Sequence, residues 1–140
     1  MTRAEITTLV GRRDTAINRR DVSALTALHA DDGVVESAMA GTVEGRGAIG
    51  DIYRAWFTAF PDAAMQPGDL VIDGDRAVQF GTITGTDTGG FMGVPATHKS
   101  FKMPVVFFFT FHDGEIAYAR HLYDFTGLLV QIGVLKAKPA

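Results

Sequence analysis

The chain has 140 residues, 46% of them hydrophobic and 21% charged, a balance that suits one folded unit over residues 1–140 and excludes disordered, fibrous and membrane-spanning classes. A net charge of −3 without a Lys/Arg cluster argues against nucleic acid as a partner, and the lack of cysteine removes disulfides, thiolate metal sites and a cysteine nucleophile together. The longest unbroken apolar run, Met103 to Phe109, is far below the roughly 20 residues a spanning helix needs, and the polar N-terminus does not read as a secretory signal, so a cytoplasmic setting away from membranes is expected.

Thr2-Arg3-Ala4-Glu5 has the form of a capping box, and Ile6, Leu9, Val10 and Ile17 follow at helical spacing, which predicts a first helix to about Arg20. Asp21 is placed to cap a second short helix carrying Val22, Leu25 and Leu28 and ending near Asp31-Asp32-Gly33. Val34 to Val43 reads as a strand or a strand pair. Ile49, Ile52, Tyr53, Trp56 and Phe60 then form one stripe of a third helix, which Pro61 stops. From residue 69 the period becomes two, and Asp73-Gly74 and Asp113-Gly114 favour tight turns, so the second half is expected to be an antiparallel meander followed by a short apolar helix, Gly127 to Val134. Helices first and a curled antiparallel sheet afterwards make an α+β domain. The tail, Lys136 to Ala140, reads as loose.

A two-residue turn at Asp113-Gly114 sets His112 opposite Glu115, Phe109 opposite Tyr118, Phe107 opposite Arg120 and Val105 opposite Leu122. One face of that hairpin then carries Phe107, Phe109, Tyr118, Arg120, Leu122 and Asp124. The other carries Val106, Phe108, Ala117 and Ala119 beside His121 and Tyr123. A second apolar face on a lone sheet points to a subunit interface and a homodimer.

Asp124 is the leading candidate for chemistry. A carboxylate at the end of an aromatic strand loses hydration, which raises its pKa towards the range of a general acid or base; as an Asp before a helix it equally suits an N-cap. Arg120, four residues back and about 13 Å away along the strand, is a candidate to stabilise an enolate oxygen or to form a structural ion pair at the pocket edge. Asp87 offers a second carboxylate, although a run of Thr and Gly is also ordinary surroundings for a turn aspartate. Tyr53, Trp56, Phe60, Gln79, Phe107, Phe109, Tyr118 and Leu122 are candidates to line a substrate pocket. His29, His98, His112 and His121 lack metal-ligand spacing, so no metal is expected, and parity puts His121 on the non-pocket face unless a bulge intervenes. Gly45-Arg46-Gly47-Ala48-Ile49-Gly50 satisfies a dinucleotide-binding pattern but lacks the parallel βαβ context that the pattern requires.

Taken in order, Gly45-Arg46-Gly47-Ala48-Ile49, Phe60-Pro61-Asp62, Gly85-Thr86-Asp87-Thr88-Gly89, Phe91-Met92-Gly93-Val94-Pro95, Asp113-Gly114-Glu115-Ile116, Tyr123-Asp124 and Gly127-Leu128-Leu129-Val130-Gln131-Ile132-Gly133 resemble the SnoaL-like polyketide cyclases over nearly the full chain. The resemblance implies the cone-shaped nuclear transport factor 2-like fold, N-terminal helices packed on a curved antiparallel sheet, often in a homodimer. It implies intramolecular aldol-type ring closure of a hydrophobic small molecule, as in antibiotic biosynthesis, with neither metal nor nucleotide cofactor and with Asp124 at the position of the acid/base aspartate. Three positions depart from the family pattern: Asp87 stands where a histidine is frequent, Pro95-Ala96-Thr97-His98-Lys99 replaces a Pro-Thr-Gly-Lys-like loop, and Ser37-Ala38 replaces His-Pro. A ketosteroid-isomerase-like isomerase, an epoxide hydrolase and a non-catalytic binding module in the same fold are the alternatives.

Overall fold

The computed structural model describes residues 1–136; Ala137 to Ala140, most of the tail expected to be loose, lie outside the described residues. Its elements are α1 (Arg3–Asn18), α2 (Val22–Ala27), β1 (His29–Ser37), β2 (Gly41–Glu44), α3 (Arg46–Ala59), β3 (Ala64–Asp73), β4 (Arg76–Thr86), β5 (Ser100–His112), β6 (Glu115–Tyr123) and α4 (Phe125–Gln131).

The capping box forms as its sequence indicates: the Glu5 amide donates to Thr2 Oγ1 at 3.1 Å and the Thr2 amide to Glu5 Oε2 at 2.9 Å. Asp21 caps α2 by accepting from the Ala24 amide at 3.0 Å. That helix stops at Ala27, earlier than expected, because the chain from His29 is drawn into β1. Val34 to Val43 resolves into a pair, β1 and β2, and β3 begins five residues before the expected change of period. The short last helix starts at Phe125 rather than Gly127, directly after its cap Asp124.

Six strands form one sheet in the order β2-β1-β6-β5-β4-β3. The meander from β3 to β6 is antiparallel, whereas β1 lies parallel to β6, so the sheet is mixed rather than wholly antiparallel. Asp113 and Gly114 adopt φ of 49° and 78°, the two left-handed residues of the turn that matches strand twist. Between β3 and β4 the two loop residues are Gly74 and Asp75, one place along from the dipeptide read in the sequence.

The β5–β6 register differs from the simple hairpin. It begins as expected, with His112 opposite Glu115 and Phe111 opposite Ile116, but Ala117 is then an extra residue on β6, and Thr110 faces Tyr118. Phe109 consequently meets Ala119, Phe107 meets His121 and Val105 meets Tyr123. One inserted residue exchanges the two faces of everything beyond it. Tyr118, Arg120 and Leu122 therefore stand on the outer face, and Ala119, His121 and Tyr123 on the inner one.

Ile6, Leu9, Val10 and Ile17 of α1, Leu25 of α2 and Ile49, Ile52 and Tyr53 of α3 pack on the inner face around Val105, Phe107, Phe109 and Phe111. A second cluster, with Phe60, Phe91, Phe101, Met103, Leu128 and Ile132, closes the end of the sheet covered by α4 and the β4–β5 loop. Two glycines of the Gly-x-Gly-x-x-Gly run serve this packing. Gly45, at φ 90°, opens α3, and a Cβ on Gly50 would lie 3.2 Å from Thr26 Cγ2 where α2 and α3 meet.

Candidate active site

A cavity lies between α3 and the inner face of the sheet. Ile52, Tyr53, Trp56 and Phe57 form its roof, Arg13 and Ile17 of α1 one wall, and Ile83, Met103, Val105, Phe107, His121 and Tyr123 its floor. It is narrow, with a volume of about 50 Å3. A ring-bearing ligand must displace the roof side chains to enter. Trp56 and Phe57 are half-buried, and these are the members of the roof with room to move.

The polar groups of this apolar chamber come from three elements. Arg13 occupies the buried stripe of α1 at the step between Val10 and Ile17 and is 0% exposed. Its guanidinium lies over the Phe107 ring, 4.1 Å from the centroid, and 5.0 Å from that of Phe109. Its Nη2 donates to Tyr53 Oη at 3.0 Å and faces His121 Nε2 at 3.4 Å. A guanidinium cannot accept, so Nε2 is the acceptor of that weak contact, and on this geometry the proton of the neutral ring is assigned to Nδ1. Burial, then the positive charge of Arg13 and the influence of His29, hold the His121 imidazole well below its usual pKa. Nδ1 makes no hydrogen bond among the described residues, which leaves an N–H donor on a side chain of the cavity floor.

Around this cluster other polar side chains are partly satisfied, with Gln79 Oε1 and His29 Nε2 buried without a partner among the described residues. Asp14 turns to Gln79, accepting from its Nε2 at 2.9 Å on each oxygen; its pKa is raised by burial, against the pull of the Gln79 bond and the Arg13 charge. His29 bonds the Leu25 carbonyl through Nδ1 at 3.0 Å, and burial brings its pKa down to about 4.

The residues singled out in the sequence are not gathered in one place. Tyr53, Trp56 and Phe107 line the cavity. Phe60 is buried in the second cluster against Phe91 and Phe101, Phe109 lies in the core beneath Arg13, and Gln79 is held by Asp14. Tyr118 and Leu122, expected in the pocket, are on the outer face because of the Ala117 bulge. Arg120 goes with them: it is exposed and lies 3.7 Å from Glu36, which also accepts from Tyr118 Oη at 2.6 Å.

Asp124 is exposed rather than enclosed by aromatics, and its Oδ1 accepts from the Gly127 amide at 2.8 Å, capping α4. Exposed at the start of α4, it lacks the desolvation expected from the sequence. Asp87 is wholly buried, but in the β4–β5 loop, where it accepts from the Gly90 amide at 3.0 Å, the Thr97 amide at 3.0 Å and Thr97 Oγ1 at 3.1 Å. Those bonds occupy it in holding the loop. His98 and His112 are exposed, and among the described residues no three His, Cys, Asp or Glu side chains gather to hold a metal.

Sequence reasoning missed Arg13 and His121. The first was legible as a cation in a gap of an otherwise apolar helical stripe. The second was hidden by the bulge.

The family model for SnoaL-like polyketide cyclases matches residues 7–132. Among solved structures, the chain is similar to AclR of Streptomyces galilaeus, a proposed hydroxylase, at 27% identity and a TM-score of 0.86, over 99% of this chain and 87% of that one. It is similar to IdmH of Streptomyces antibioticus, a proposed polyketide cyclase, at 26% identity and a TM-score of 0.77, over 91% and 97% of the two chains. A nuclear transport factor 2-like protein of Burkholderia pseudomallei, 19% identical with a TM-score of 0.80 over 94% and 98%, shares the fold. No curated protein matches. With its helices laid over a curved, unclosed sheet of six strands, the chain has the nuclear transport factor 2-like α+β fold and belongs to the SnoaL-like polyketide cyclase family.

Proposed function

We propose that the protein is a cyclase-like enzyme that takes an enolisable, largely apolar small molecule into the cavity under α3 and closes a ring by intramolecular aldol-type addition. The observation that supports this most is the neutral, donor-directed His121 beside Tyr53 in an otherwise apolar chamber. Two donors, His121 Nδ1–H and the Tyr53 hydroxyl, hold the substrate carbonyl oxygen. As the neighbouring carbon loses its proton, the electron pair of the broken C–H bond moves to that oxygen, and hydrogen bonds to the growing charge lower the barrier. A neutral imidazole held as a donor is the device the handling of carbonyls calls for, since it polarises the oxygen without first giving up a proton.

Asp124 is the proposed proton acceptor. It follows Tyr123, whose ring lines the cavity, by one residue, and its position matches the family aspartate. It is about 10 Å along β6 from His121, so the reacting carbon would sit near the chamber's Tyr123 end. The enolate carbon then adds to a second carbonyl of the same molecule, and the alkoxide formed takes the proton that Asp124 had accepted, which restores the carboxylate. A homodimer joined through the outer sheet face is part of the same proposal.

The test is a pair of variants assayed for ring closure on an enolisable polyketide-like substrate. His121→Phe keeps ring volume but removes the donor, and turnover is expected to fall by ~10²- to 10³-fold. Asp124→Asn is expected to fall by at least ~10²-fold. A silent Asp124→Asn with a dead His121→Phe would move the proton to His121, its Nε2 released by Arg13. Two silent variants would refute the enzyme reading and leave a binding module.

A further inference from the structure

Arg13 is a cation without an anion. The stacked rings of Phe107 and Phe109, their centroids 6.1 Å apart, lie against one side of the guanidinium and leave its edge for hydrogen bonds. Nη2 uses its hydrogens on Tyr53 and His121, both neutral. Nε and Nη1 are buried with no acceptor at all. A charged group in this position ordinarily has a carboxylate partner, because taking it from water unpaired is among the costliest arrangements a fold can carry. Asp14, adjacent in sequence and close enough for its charge to be felt, bonds Gln79 instead. Such an orphan cation beside a substrate chamber marks a place where the missing partner arrives with the ligand.

We propose that the substrate carries a carboxylate and that Arg13 is its counter-ion, fixing the end of the molecule that lies deepest under α1. This rests on the reading that the chamber under α3 is the substrate site, and it adds the substrate's chemical class. The rest of the geometry agrees. A carboxylate drawn to Arg13 is set beside Tyr53 and His121, so a carbonyl a few bonds away falls among the two donors that are to polarise it. The ring faces of Phe107 and Phe109 hold the guanidinium plane fixed, and a planar, pre-oriented fork discriminates a carboxylate from a neutral amide of the same shape.

The experiment compares two single-ring probes, benzoate and benzamide, which need the least displacement of the roof, by calorimetry and by the NMR resonance of the Arg13 Nε–H at pH 7. Wild-type protein is expected to bind benzoate at least ~10-fold more tightly than benzamide, and benzoate is expected to shift the Arg13 resonance. Arg13→Met is expected to abolish the preference, and Arg13→Lys to keep part of it. Should Arg13→Met fail to fold, the wild-type resonance and the lysine variant decide. Equal binding of the two probes, no binding of benzoate, or binding that leaves the Arg13 resonance unmoved would overturn the proposal and assign the orphan N–H groups to buried water. No turnover enters this measurement. Loss of the benzoate preference thus leaves the cyclase reading standing, whereas silent His121 and Asp124 variants sink that reading and leave the anion site untouched.

Discussion

Arg13 and His121, 108 positions apart in the chain, meet at 3.4 Å on the inner face of the sheet, and each sets the state of the other. Burial first, and then the permanent charge of the guanidinium, keep the imidazole neutral.

This contact and the burial of His29 make stability depend on pH. Both histidines have folded-state pKa values depressed below 6.5, so between that value and the folded one the unfolded chain binds more protons, and stability falls as pH falls. For His29, with a folded pKa of about 4, the loss is complete near pH 4 and amounts to about 3 kcal/mol. His121 adds to the decline in the same sense. Asp14 acts in the opposite sense, because its raised pKa returns some stability as it is protonated. Denaturant melts from pH 7 to pH 4 should show a falling midpoint, and His29→Asn, which keeps a donor near Nδ1 without the titration, should flatten it. A midpoint unchanged over this range would contradict the buried, neutral assignment of both rings.

The outer sheet face is the proposed dimer interface. Its members are not quite those expected, since the bulge brings Tyr118, Arg120 and Leu122 there in place of Ala119, His121 and Tyr123, yet Val106 and Phe108 remain and Phe80 and Leu122 are 47% and 46% exposed. Phe108→Asp places a charge at the centre of that patch. Light scattering should show a dimer for the wild type at micromolar concentration and a monomer for the variant. A wild-type monomer would remove the interface.

Asp87 tests whether a buried carboxylate here is chemical or structural. It satisfies three donors that bind the β4–β5 loop together, so Asp87→Ala leaves them buried without an acceptor, at a cost of roughly 2 to 4 kcal/mol. Thermal unfolding should show that loss, and residual turnover per folded molecule should stay close to wild type. Turnover lost in a variant of unchanged stability would make Asp87 part of the chemistry.

The helices, their caps and the turn at Asp113-Gly114 were readable because each is set by local chemistry: a Thr-x-x-Glu box, an apolar stripe, two residues tolerant of positive φ. The site was not readable, because it depends on one non-local event. Nothing in Ile116-Ala117-Tyr118 announces a bulge, and without it the alternation of β6 assigns Arg120 inward and His121 outward. Here burial decided the register. The simple hairpin would set the exposed Arg120 and Leu122 against the core, whereas the bulged one places small Ala119 against Phe109 and gives His121 and Tyr123 the chamber. Deleting Ala117 should therefore be severe, more than ~4 kcal/mol, since it forces those faces to exchange. A deletion variant that melts within a few degrees of wild type would show that the sheet tolerates either register.

The observed cap and the proposed proton transfer at Asp124 separate cleanly by substitution. As the cap of α4 it satisfies the Gly127 amide, and Asn does this nearly as well, so Asp124→Asn should leave the melting temperature almost unchanged. Ala cannot cap, and Asp124→Ala should cost about 0.5 to 2 kcal/mol. Proton transfer divides the variants differently, because neither Asn nor Ala accepts a proton at neutral pH. Both should then lose at least ~10²-fold in turnover while only Ala loses stability. If Asn keeps full turnover and Ala loses only what its reduced folded population explains, the carboxylate serves the helix alone. The chemistry would then belong to the cavity side chains, with His121 the first to suspect, since it is the titratable ring that already faces Arg13 and Tyr53.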